Sequence, residues 1–160
     1  MIDVNQFISP TYGKLSFKQM LKYILKDIEK EQGFKYNIIV GTDSSSLGIP
    51  LFVTAVIVHK IGRGGYYFYR KIREQKKRNL HQRIFYEATL SLELASMFTS
   101  ELAKNGKANL PIEIHLDVGG SVETKEIIRE LVGMITGSGY KAKTKPYAYG
   151  ASVVADKHSK

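Results

Sequence analysis

Apolar and polar positions along the chain change period several times, and each change marks an element. Met20, Leu21, Ile24, Leu25 and Ile28 recur at helical spacing after Ser16, a residue suited to a helix cap, and the pattern stops at Gln32-Gly33. Three strand-like runs follow, Tyr36 to Thr42, Phe52 to Lys60 and Tyr66 to Glu74, rich in Val, Ile, Tyr and Phe. Ile61 to Gly65 reads as the hairpin loop between the last two. A helical period then runs from about Leu80 to Lys104, with Asn79 as its cap and Asn105-Gly106 as its stop. Leu110 to Val118 predicts a fourth strand and Val122 to Ile135 a helix ended by Gly137-Ser138-Gly139. Tyr140 to Lys145 predicts a fifth strand, and Ala148 to about Asp156 a terminal helix. This order predicts an α/β domain: a mixed five-stranded sheet, three antiparallel strands then two parallel, with helices on both faces. Residues 1–33 read as an N-terminal helical extension and 34–160 as a single compact unit.

Length and composition narrow the class. The 160 residues suit one domain, and the 43% apolar content suffices for a core. No apolar run is long enough to span a bilayer, and the start lacks a secretory layout, so the expectation is a soluble cytoplasmic protein. Without cysteine, any metal must be held by oxygen or imidazole. The net charge of +9 favours polyanionic partners, nucleic acid ahead of an anionic membrane surface, and no obligate protein partner is evident.

Four acids stand out against that frame. Asp43, in IIVGTDSSSLGIP, ends the first long strand; Asp117, in IEIHLDVGG, ends the fourth. Ligands of open α/β sheets bind at this edge. If the two strands are parallel neighbours, carboxylates about 4 Å apart repel by roughly 4 kcal/mol at an effective dielectric of 20, so a positive group should lie between them. Either aspartate alone is equally compatible with a turn-forming role. On the long helix Glu87 shares a face with Ile84, Ala88, Ser91, Leu94, Ala95, Phe98 and Leu102, whereas Glu93 points away. A carboxylate on a core face must be paired, protonated or bound to a cation, and a structural salt bridge would satisfy that too. Asp156, in ASVVADKHSK, is placed to reach the same edge from the terminal helix, or to be a solvated charge.

Together GTDSS, YEATLSLELA, HLDVGG and ASVVADKHS, from about Phe34 to His158, resemble the YkuK-like family of predicted ribonuclease H-like nucleases. The resemblance implies a ribonuclease H-like fold in which Asp43, Glu87, Asp117 and Asp156 hold two Mg²⁺ or Mn²⁺ ions. It implies further that Asp43 bridges both ions, Glu87 and Asp117 hold the first, and Asp156 completes the second. Hard divalent cations prefer oxygen ligands, and a pair of them can activate water and stabilise a leaving oxygen at a phosphodiester. Ribonuclease H proper commonly has glycine after its first aspartate; Ser44 stands there in this chain, so a hybrid preference is not carried over.

A basic run, RKIREQKKRNLHQR, leads into the Glu87 helix and contributes Lys76, Lys77, Arg78 and Arg83 as candidate phosphate contacts. Lys145 joins them from the row Lys141, Lys143, Lys145, which an exposed edge strand would also explain. The expected partner is RNA, DNA or a hybrid. Tyr66 to Tyr69 fit alternating faces, half core and half surface, better than base stacking. His59, His81 and His115 read as structural or surface residues. Two other readings share the fold: a catalytically inactive nucleic-acid-binding module, and an actin-like ATP-binding protein whose DxG-type loops cradle phosphate. The latter needs two domains closing on the nucleotide.

Overall fold

A computed structural model of the chain describes residues 6–45, 51–74, 76–118 and 124–145. Its elements are β1 (Phe7–Ser9), β2 (Gly13–Leu15), α1 (Phe17–Lys30), β3 (Tyr36–Ser44), β4 (Leu51–Lys60) and β5 (Gly64–Arg73). They continue with α2 (Leu80–Lys104), β6 (Ile112–Leu116), α3 (Lys125–Gly137) and β7 (Lys141–Lys143). The terminal helix expected from Ala148 lies outside the described residues. None of the described helices is long and apolar enough to cross a membrane.

The sheet has seven strands in the order β2-β1-β5-β4-β3-β6-β7, not the five expected. The three antiparallel strands and two parallel ones are present: β3 pairs antiparallel with β4, β4 with β5, and β3 and β7 each run parallel to β6. The surplus is the hairpin β1–β2, joined to β5 by the pair Ile8 and Tyr69. Three-residue strands are too short to establish a period. Tertiary burial supports this hairpin instead: Phe7 is fully buried, near Phe17 and Arg70. Its turn is closed by Ser9 Oγ, which accepts from the N–H groups of Thr11 and Tyr12, and by Gly13 at φ +76°.

Both long helices begin where their side chains satisfy free backbone donors. Ser16 Oγ accepts from Gln19 N–H and Gln19 Oε1 accepts from Ser16 N–H; Asn79 and Gln82 repeat the exchange at α2. Helix α2 spans the range read from the sequence, and it buries Ile84, Glu87, Ala88, Ser91, Leu94, Ala95, Phe98 and Leu102.

Among the described residues all three helices share one core with a single sheet face, not the two faces expected. Met20 and Ile24 of α1, Leu94 and Phe98 of α2, and Leu131 and Ile135 of α3 enclose Ile38, Val40, Val56, Val58 and Ile114. The other face has its own cluster of Leu51, Val53, Ala55 and Tyr69. Strand β5 therefore packs aromatic rings on both sides, buried Phe68 and half-buried Tyr66 toward the helices and buried Tyr69 and half-buried Tyr67 toward the second cluster, in place of the expected half-surface pattern.

The cap starts the helix that carries Glu87, so losing it should cost stability. Asn79→Ala is expected to lower the unfolding free energy by about 1 kcal/mol, read as a shifted urea midpoint with an unchanged slope.

Candidate functional site

Parallel strands end at the same edge, and the register of β3 with β6 settles which residues meet there. Thr42 is opposite Leu116, the last pair, so Asp43 and Asp117 are the next residues on each strand. Burial and the neighbouring Asp117 carboxyl push Asp43 up to about 7, against the opposing pull of the Ser44 N–H and Lys145. The expected positive group is Lys145, whose Nζ stands 2.7 Å from Asp117 Oδ1.

Glu87 reaches the same place from α2. It is only 8% exposed, and Ser44 Oγ donates to its Oε2 at 2.6 Å. Burial pushes Glu87 up to about 8, Asp43 and Asp117 add to the rise, and Ser44 and Arg83 oppose it. Arg83 is anchored nearby through Nη1, which donates to the Ser45 carbonyl at 3.2 Å. Under the acids, Thr42 Oγ1 lies 2.9 Å from Thr54 Oγ1 and 2.8 Å from Ser91 Oγ, fixing β3, β4 and α2 to one another.

The structure thus brings together Asp43, Glu87, Asp117 and Lys145. Asp156 lies outside the described residues. Among the described residues no three His, Cys, Asp or Glu side chains form a group that could hold a metal ion. Two observed contacts act against such a group: Lys145 holds Asp117, and one oxygen of Glu87 is turned to Ser44. Chemically the donors still suit a hard cation. All are carboxylate oxygens, and the raised Asp43 and Glu87 lack a positive charge sufficient to keep them ionised.

Of the basic residues, Lys76 and Lys77 are exposed. Arg78 is engaged: it donates from Nε and Nη2 to Glu74 Oε2 at 3.0 and 2.8 Å and lies 4.1 Å from the centre of the Tyr86 ring. Sequence reasoning passed over Ser44 as a ligand to Glu87, and it passed over a polar group further down β6. There Glu113 accepts from Asn37 Nδ2 at 2.8 Å and pairs with His115 Nε2 at 3.2 Å and Lys143 Nζ at 3.3 Å. The alternation Glu113, His115, Asp117 was the available signal, since it puts all three on one face. His115 is buried, as a structural histidine would be, and His81 is exposed and stacked on Phe85.

Residues 19–160 match the family model described as Ribonuclease H-like. The chain is also 27% identical over 172 residues to a protein of Bacillus subtilis (strain 168) named "Uncharacterized protein YkuK", with all of both chains covered. No solved structure matches.

The acids impose a pH dependence of unusual sign. A folded-state carboxyl raised above its unfolded value takes up protons on folding, so its favourable contribution is complete below about pH 4 and is lost as pH rises through 7 for Asp43 and 8 for Glu87. Glu87→Gln is therefore expected to raise the melting temperature by at least about 2–4 °C at about pH 9, and to change it little at about pH 4. Melting curves across that range, with chelator present, test it; a gain of equal size at both ends would contradict it.

Proposed function

The chain belongs to the ribonuclease H-like family, and from that premise we propose that it is a metal-dependent nuclease hydrolysing phosphodiester bonds of RNA or DNA. One observation carries the proposal: Asp43 and Asp117 meet at the shared end of two parallel strands, with the buried Glu87 one serine hydroxyl away. Three acids converging at a ligand-binding edge serve no packing purpose and cost stability when ionised. Asp43, Glu87 and Asp117 would hold Mg²⁺ or Mn²⁺, and Asp156 is the proposed fourth ligand of a two-ion site. Bound there, such ions supply an activated water and a stabilised leaving oxygen.

The chain's own residues do the rest. The Ser44 hydroxyl holds the Glu87 carboxyl toward the cluster. Arg83, tied to Ser45, keeps a fixed guanidinium beside the acids, where a phosphate of the substrate would find it. Lys76 and Lys77 extend that charge along the segment leading into α2 and bind backbone phosphates irrespective of base sequence. Arg78, paired with Glu74 and lying on Tyr86, instead stiffens that segment.

A second reading, a nucleic-acid-binding module without catalysis, draws support from the contacts of Lys145 and Ser44 with two of the acids. Incubation with RNA, DNA, hybrid and branched substrates separates the two. The nuclease reading expects cleavage with Mg²⁺ or Mn²⁺, none with chelator, and a loss of at least about a hundredfold in Asp43→Asn and Glu87→Gln. Nucleic-acid binding with neither cleavage nor metal uptake would favour the binding module. Cleavage surviving both substitutions would assign the activity elsewhere.

The basic segment has its own test. Lys76→Ala/Lys77→Ala is expected to weaken binding uniformly across sequences and to reduce the slope of log affinity against log salt by about 2, one unit for each phosphate no longer neutralised. An unchanged slope would remove these lysines from the interface.

A further inference from the structure

Lys145 is tied to the site twice. Its backbone N–H donates to the Val118 carbonyl at 3.1 Å, which fixes its main chain beside the residue that follows Asp117. Its ammonium then reaches Asp117 Oδ1 at 2.7 Å and lies within the field of Asp43 and Glu87 as well. The two partners are unequally exposed: the Asp117 side chain is 15% accessible, the lysine 52%. A lysine has a flexible four-carbon stem, so the ammonium can leave the carboxylate for solvent while the backbone stays bonded. Lys143 makes a different contact one step back, 3.3 Å from Glu113, a carboxylate already engaged by Asn37 and His115. Of the two lysines, Lys145 alone meets an acid of the cluster.

Resting on the metal-dependent reading above, we infer that Lys145 is a built-in counter-ion that competes with a divalent cation for Asp117 and gives up the carboxylate when that cation binds. Without a divalent ion the ammonium screens the repulsion between Asp43 and Asp117 and keeps the carboxylates together. A doubly charged ion interacts more strongly with three carboxylates than one ammonium does. The displaced ammonium remains at the site edge, where phosphate is the natural acceptor for it. Cation and polyanion would then bind with mutual reinforcement, and the site would discriminate against weakly held ions.

Mn²⁺ titration of the full chain by calorimetry tests this, with thermal melting in chelator and in Mn²⁺ as a second readout. Lys145→Met is expected to bind Mn²⁺ about fivefold tighter than the unmodified chain, to melt lower in chelator and to gain more on adding Mn²⁺. Lys145→Gln should behave the same way, and adding Asp117→Asn to Lys145→Met should abolish the gain. Mn²⁺ binding by the unmodified chain with equal or weaker binding by Lys145→Met would overturn the inference and leave the nuclease reading standing. Absence of Mn²⁺ binding in both would overturn the metal-dependent reading and the inference with it.

Discussion

Parallel pairing of β3 with β6 is the constraint on which the other features depend. Two strands running in the same direction cannot be joined by a tight turn, so the chain must travel back along the sheet before the second can begin. Here the return is made by the β4–β5 hairpin and the long helix α2. The same topology that sets Asp43 beside Asp117 also packs a helix against the two strands, and Glu87, in the third turn of α2, comes down at the edge where they end. A purely antiparallel sheet would have sent the two aspartates to opposite ends.

The convergence runs against the electrostatic preference of the fold. Asp43 and Glu87 are both held far above the ordinary carboxylate range, chiefly by burial. Neutral hydrogen bonds nearby fix the elements that carry them. The Thr42 hydroxyl links to Thr54 and Ser91, and the Ser44 hydroxyl links to Glu87, so hydroxyl groups on successive turns and strands hold α2 against the end of β3. The packing of α2 on β3 beneath the acids thus rests on neutral hydroxyl groups, while Lys145 is the charged partner of Asp117.

The long-period elements were legible in the sequence because their signals are local. Asn79 and Gln82 start α2 and Asn105-Gly106 ends it, and its bounds follow from side chains within a few residues of each end. The facing of Glu87 followed from periodicity alone, whereas the adjacency of the two aspartates hung on β3 and β6 being parallel neighbours, which the strand pairing supplies. The hairpin β1–β2 was invisible because its reason for existing is the burial of Phe7, a contact made with the distant β5 and α1. Lys145 shows a similar limit. Its charge suggested phosphate, and the fold adds a contact with Asp117 that depends on tertiary placement composition does not encode. Asp156, the fourth acid, lies outside the described residues.

The bond from Asn37 Nδ2 to Glu113 spans β3 and β6 at the end of β3 remote from the acids, roughly 20 Å away along the strand. Slipping one strand past the other by a single residue would separate this pair and, because alternate residues face opposite ways, would turn one of the two aspartates to the wrong side of the sheet. A buried amide thus serves as an alignment key for a centre it never touches. The tolerance of that centre to error is set along the whole length of the strand pair, so sequence change in the middle of the sheet and sequence change among the acids are two routes to the same loss.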